Sequence, residues 1–236
     1  MISLAHPTAA DEQMDAADLD GATYAAVLAD LARVNRWTLT ARPTLNFLGR
    51  AMAGRTAFSL LDVGFGDGDM LRAIAGWAAG NGIDARLTGI DLNPKSAGIA
   101  AAKTPGQLDI NYLTGDYLDL VGSRTGDGGF DFIVSSQVAH HMRHDQLQIF
   151  LRAMEANARR GWQISDLHRH RFSYHGFPLL ARIMGWHRIV REDGQLSIAR
   201  SLRPAEWRPI LAEAGLGREA RVRRSFPFRL CVERLR

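Results

Sequence analysis

Residues 60–69, Leu-Leu-Asp-Val-Gly-Phe-Gly-Asp-Gly-Asp, compress a buried strand end, a glycine turn and a helix start into one short stretch. The apolar run from Ala57 to Val63 reads as a strand covered on both faces. Glycine at 64, 66 and 68 permits positive φ and lets a ligand approach the main chain, which side chains would block. The amphipathic run from Met70 to Ala79 predicts the helix that follows, ended by Gly80 and Gly82. Such a strand, turn and helix predict an α/β fold with its ligand at the carboxyl end of a strand.

The glycine spacing discriminates between ligands. A dinucleotide fold uses G-x-G-x-x-G and offers a free helix N-terminus to a pyrophosphate. Here the third glycine comes one residue early, and Asp62, Asp67 and Asp69 surround the turn. A pyrophosphate would meet carboxylates where it needs N–H donors and positive potential, whereas a cation would be welcome. Asp62-x-Gly64-x-Gly66-x-Gly68 resembles motif I of the class I S-adenosylmethionine-dependent methyltransferases, whose cofactor carries a sulfonium and an amino group.

The resemblance continues along the chain. Asp91 closes the next strand, where an acid can accept both hydrogen bonds of a ribose diol; dinucleotide enzymes use an acid there too, so Asp91 alone leaves both families open. Asp116 after Gly115 matches the family's acid for the adenine amino group, with Tyr117 or Leu92 to sandwich the ring, although Gly-Asp is also an ordinary turn pair. Phe130 to Ser135 resembles the family's fourth strand, and Leu211 to Leu216 its late helix and turn. The resemblance implies S-adenosylmethionine as cofactor, held by Asp62, Gly64, Phe65, Gly66, Gly68, Asp91, Leu92, Asp116, Tyr117 and Ser136. After the fourth strand stands Ser135-Ser136-Gln137-Val138 rather than the Asn/Asp-Pro-Pro-aromatic run of amino-group methylases, which argues against DNA and favours the small-molecule O- and C-methyltransferase branch.

Strand and helix patterns alternate through the rest of the chain. Strands are expected at Ala85–Asp91, Asp109–Thr114, Phe130–Ser135 and Trp162–Asp166, with further ones around Ala220–Ser225 and Phe228–Arg234. Helices are expected from Asn93-Pro94 to Ala102, from Asp145 to Arg159 with Leu147, Ile149, Phe150, Leu151 and Met154 inward, and from Pro204 to Gly215. A glycine-rich loop is expected at 126–129. The fold class is α/β: a doubly wound, mostly parallel seven-stranded sheet of Rossmann-like methyltransferase type, with N-terminal helices and a helical insertion after the fifth strand. Residues 1–20 read as a flexible acidic tail, 21–56 as a helical cap with a break at Pro43, and 57–236 as the cofactor-binding domain, with an insertion at 167–202. The apolar face of that insertion, including Phe172, Tyr174, Phe177, Leu180, Ile183 and Trp186, suits a helix in the core or a lid that excludes water.

Candidate catalytic groups follow the fourth and fifth strands: His140, His141, Asp166 and His168, with His170 nearby. A histidine could remove the proton of a phenol or enol acceptor; His140 and His141 read first as structural histidines packing the strand-to-helix turn, and Asp166 with His168, two apart, would share a face if the strand continued. With one cysteine, Cys231, and no His-Glu-x-x-His, no metal is expected. The expected activity is O-methylation of a small aromatic, polyketide-like or quinone-like hydroxyl compound; the alternatives are an RNA methyltransferase and a non-catalytic S-adenosylmethionine-binding protein.

The whole chain bounds these readings. Its 236 residues are 46% hydrophobic and 23% charged, ordinary for a globular protein, with no apolar run long enough for a transmembrane segment. The acidic start lacks a basic n-region, so a cytoplasmic location is expected. Residues 151–236 hold 18 arginines against 8 acids, which keeps nucleic acid in view, but the arginines are scattered rather than grouped, and a small-molecule acceptor remains the expected partner. A homodimer is left open.

Overall fold

The computed structural model describes residues 4–16, 18–123 and 129–236. The chain opens with helices α1 (Gly21–Trp37) and α2 (Ala41–Ala51). Asp20 starts α1 as its N-cap, its carboxylate accepting from the N–H groups of Ala22 (3.0 Å) and Thr23 (2.9 Å). Strands β1 (Ala57–Val63), β2 (Asp84–Asp91) and β3 (Ile110–Thr114) then alternate with helices α3 (Asp69–Gly80) and α4 (Ser96–Lys103). Helix α5 (Tyr117–Ser123) leads towards β4 (Phe130–Ser136), which α6 (His144–Asn157) joins to β5 (Ala158–Leu167). After α7 (Arg171–Ile183), α8 (Arg188–Arg200) and α9 (Pro204–Glu213), the chain ends in β6 (Arg221–Ser225) and β7 (Arg229–Leu235).

The sheet order is β3-β2-β1-β4-β5-β7-β6. The first five strands pair in parallel, and β7 lies antiparallel to both β5 and β6. The order reverses between β1 and β4, which opens a crevice beyond their carboxyl ends. One core, with Ile133, Trp162, Leu151 and Trp207, fills one face of the sheet; a second, with Phe47, Phe58, Leu71 and Phe132, fills the other. The central strands β1, β4 and β5 are buried along most of their length because both faces are covered.

Four expectations change. Residues 4–16 are no free tail: the N–H groups of Gln13 and Met14 donate to Asp193 at 3.1 and 2.9 Å, and Thr8 donates to the carbonyl of Ala199. Glu12 is buried beside His140 and Arg200 and Asp15 pairs with His141, so these two acids, which look solvated in sequence, have basic partners brought by the fold. The region 21–56 does not act as one cap. Helix α2 packs Phe47 and Leu48 into the sheet core, whereas Val27 and Val34 of α1 join Ala181, Trp186 and Ile189 of the insertion.

The insertion is two helices rather than one, broken at Gly185 (φ 66°). Phe177 stacks on Trp186, with ring centroids 6.0 Å apart, but Phe172, Leu179 and Ile183 stay exposed. Ile149 of α6 likewise faces outward. Of the glycine-rich loop expected at 126–129, residues 126–128 lie outside the described residues.

Candidate active site

The glycine turn between β1 and α3 depends on backbone geometry that other residues resist. Gly64 has φ 78°, and a Cβ there would lie 2.4 Å from Cγ2 of Val138. Gly68, also at φ 78°, is the N-cap of α3, and a Cβ there would meet the Tyr112 hydroxyl at 2.6 Å. The turn is tied to β2: the N–H of Gly64 donates to the Ile90 carbonyl (2.8 Å), and that of Gly66 to Oδ2 of Asp91 (2.9 Å).

Beside it opens a cavity of about 970 Å³, whose lining runs from Gly64, Phe65 and Gly66 through Asp91 to the inner faces of α1 and α7. Asp62 lies on its wall, 1% exposed, and neither carboxyl oxygen has a hydrogen-bond partner among the described residues. Burial, reinforced by the charges of Asp69 and Asp91, pushes its pKa up to about 8. Asp67, by contrast, is neutralised by Lys103 (2.9 Å) and Arg72 (3.4 Å). Of the three acids around the turn, Asp62 is therefore the unpaired one among the described residues, with Asp69 held by the Asn35 amide at 2.8 Å.

Asp91 stands at the end of β2, and its second oxygen accepts from the Asn93 N–H (2.8 Å). Burial raises its pKa, opposed by the Gly66 and Asn93 hydrogen bonds. A carboxylate has further lone pairs, so these bonds still leave capacity for a diol. Asp116 caps α5 by accepting from the Leu118 N–H at 2.7 Å, with its side chain exposed on the cavity rim. Leu92 is exposed on the rim, but Tyr117 is folded under, its ring 5.4 Å from that of Phe150 and its hydroxyl without a hydrogen-bond partner among the described residues. Leu118, which sequence reasoning passed over, is the exposed apolar side chain beside Asp116. Ser136 also lines the cavity, with a buried, unpartnered Oγ.

The four catalytic candidates do not gather as expected. His140 and His141 line the cavity. Asp166 pairs with His140 instead of His168: Oδ1 is 2.7 Å from Nδ1, and Oδ2 accepts the His140 backbone N–H at 2.8 Å. Strand β5 ends at Leu167, so the alternation that would have put His168 on the face of Asp166 stops short. His168 lies outside the cavity lining, and burial with the positive charges of His170, Arg224 and Arg203 holds its pKa down to about 4. For His140, burial favours the neutral ring, but Asp166 and Glu12 outweigh it and raise the pKa to about 10. An imidazole already protonated at neutral pH is no general base.

Two groups here were invisible in sequence. Arg229 of β7 is buried on the cavity wall and donates to Thr38 and Thr40; burial lowers its pKa to about 10. Asn35 of α1 accepts from Gln137 (2.8 Å) while donating to Asp69, linking the cap to the glycine turn. Neither residue has a local signal, because each acquires its role from partners far away in the chain.

Residues 60–161 match a family model described as a methyltransferase domain. The sheet order and its antiparallel last strand pair give the chain the fold of the class I, S-adenosylmethionine-dependent methyltransferases. Among solved structures, the plantazolicin methyltransferase BpumL in complex with SAH is 16% identical, with a TM-score of 0.68 over 93% of this chain and 91% of that one. Magnesium protoporphyrin IX methyltransferase from Synechocystis PCC 6803, with bound SAH, is 20% identical, with a TM-score of 0.57 over 86% and 84%. Human N-acetylserotonin methyltransferase, in complex with SAM, is 12% identical with a TM-score of 0.62; the match covers 92% of this chain and 56% of that protein. No curated protein matches by sequence. No helix among the described residues is long and apolar enough to cross a membrane.

Proposed function

We propose that this protein transfers the methyl group of S-adenosylmethionine to a hydroxyl oxygen of a small aromatic, polyketide-like or quinone-like compound. The observation that carries the reading is a cavity in which the glycine turn, Asp62 and Asp91 share one space with an apolar cap of α1 and α7. The orphaned carboxyl of Asp62 suits the cofactor's amino group, and Asp91 its ribose. Asp116, Leu92, Leu118 and Ser136 would surround the adenine.

The acceptor oxygen attacks the methyl carbon as the C–S bond breaks, leaving a neutral thioether, and the hydroxyl proton goes to solvent. Alignment and exclusion of water are the main contributions required of the protein. Leu28, Leu180 and Phe177 on the cavity wall offer the apolar surface that a flat, largely hydrocarbon acceptor would cover. The hydroxyl would face the corner formed by Glu12, His140 and His141.

Several arginines of the carboxyl third are engaged inside the fold, which weakens the case for an RNA substrate. Arg234 and Arg236 converge on Glu155, Arg223 pairs with Glu233, and buried Arg169 pairs with Glu206. These arginines serve internal contacts rather than a free basic face.

Calorimetry with S-adenosylmethionine, followed by mass spectrometry of phenolic and quinol-type acceptors, tests the reading. A methyl ether formed together with S-adenosylhomocysteine is the expected result. Binding of the cofactor with transfer only to carbon, nitrogen or RNA would replace the acceptor class.

A further inference from the structure

We infer that Glu12, His140 and His141 form a binding site for a divalent transition-metal ion of the zinc class. The two imidazoles are held alike. Nδ1 of His140 is 2.7 Å from Oδ1 of Asp166, and Nδ1 of His141 is 2.9 Å from Oδ2 of Asp15. A carboxylate on one ring nitrogen fixes the tautomer and orientation of a metal-binding histidine and raises the basicity of the other nitrogen.

Both remaining nitrogens turn to one carboxylate. Nε2 of His140 is 3.5 Å from Oε1 of Glu12, and Nε2 of His141 is 3.8 Å from Oε2. The donor atoms of the three residues all lie within 4.8 Å of one another. Separations of this size are long for hydrogen bonds. They are close to the roughly 3.3 Å between neighbouring ligands of a tetrahedral ion whose bonds measure about 2.0–2.1 Å.

The charges around the three residues point the same way. The carboxylates of Glu12, Asp15 and Asp166 converge here, and Oε1 of Glu12 is buried without a hydrogen bond among the described residues. The guanidinium of Arg200 is 4.0 Å from Glu12 but donates to the carbonyls of His140, His141 and Ala10. A dication that displaced the Nε2 proton of His140 would balance this excess of acid. Two imidazoles and a carboxylate form a nitrogen and oxygen set suited to zinc.

All three residues line the cavity, so three protein ligands leave a further position for water or an acceptor oxygen. An ion there would hold and acidify the acceptor hydroxyl; that use rests on the proposed methyl transfer, whereas ion binding does not. The site is hidden from sequence inspection because its parts are remote: Asp15 and His141, which touch, are 126 residues apart.

The test is titration of chelator-treated, full-length protein with Zn²⁺ against a chromophoric competitor, with no cofactor or acceptor present. One equivalent is expected to bind, and Co²⁺ should give the visible bands of a four-coordinate site. H141A and E12Q should each weaken binding about 100-fold or more, and D15N about 10–100-fold. H144A, which removes an exposed imidazole paired with Glu213 away from the cluster, should leave binding unchanged. Absence of saturable binding, or binding that H141A leaves intact, overturns the site. Should the variants fail to fold, the Co²⁺ spectrum of the wild-type protein decides, since surface sites do not give four-coordinate bands. Methyl transfer, assayed separately with and without added Zn²⁺, tests the function without bearing on whether the ion binds.

Discussion

Asp166 grips His140 at two points, its Oδ1 2.7 Å from the ring Nδ1 and its Oδ2 accepting the backbone N–H at 2.8 Å. One buried carboxylate at the end of β5 thus sets both the ring orientation and the path of the chain after β4. Asn in place of Asp166 would leave a buried cation without its principal acid, a loss of about 3–5 kcal/mol. D166N should therefore unfold at markedly lower urea concentration than wild type. An unchanged midpoint would show that Glu12 alone suffices for His140.

Asp62 predicts a pH dependence of cofactor binding. Its folded pKa, pushed up to about 8 by burial and by Asp69 and Asp91, lies above its unfolded value. Its protonation therefore stabilises the free protein fully below the unfolded pKa, and that contribution is lost as pH rises through about 8. A cofactor ammonium group prefers the ionised form. Affinity for S-adenosylmethionine should then climb by up to about tenfold per pH unit between roughly pH 6 and 8. Calorimetry of D62N should show weak binding with a flat profile, and a wild-type curve equally flat would remove Asp62 from the site.

At Gly64 the predicted effect has two separable parts. A Cβ would meet Val138 at 2.4 Å, and the positive φ would strain any L-residue. G64A should lose about 1–2 kcal/mol from backbone strain alone, beyond the clash. Adding V138A should relieve the clash but not the strain, so thermal stability should recover only in part. Cofactor affinity should stay depressed in both variants. Full recovery in the double variant would mean that the turn tolerates a side chain.

Asp131 governs stability in acid. Its carboxylate accepts from the Ser59 N–H (2.9 Å) and pairs with Arg159 (3.1 Å) and Arg160 (3.2 Å). Burial alone would raise its pKa, but the Ser59 and arginine contacts outweigh it and hold the pKa below the ordinary value. The stabilisation is present above the unfolded pKa and is lost as pH falls through the lowered folded one. D131N should cost about 1–3 kcal/mol at pH 7, with the gap closing as pH falls below about 4. Denaturation curves at a series of pH values measure this, and a gap that did not narrow in acid would assign the effect to packing.

The strand, turn and helix at 57–80 could be read locally because its requirements are local. Positive φ at Gly64 and Gly68, a continuously apolar strand and a helix start are properties of neighbouring residues. Asp62 and Asp91 were legible for the same reason, being fixed by where their strands end. His168 was misplaced because two-residue alternation holds only while a strand lasts, and β5 stops at Leu167. Glu12 and Asp15 looked solvated because their basic partners, His140, His141 and Arg200, lie far along the chain.

By itself the sequence determined the sheet, the glycine turn and the acids at the strand ends, all encoded in backbone preference and short-range periodicity. Only the tertiary structure decided that Glu12 and Asp15 reach the histidines, that Asp166 serves His140, and that α1 joins the insertion over the cavity. A charged side chain can be buried only where an opposite charge or a hydrogen-bond partner meets it. Whether such a partner is present depends on how distant segments pack.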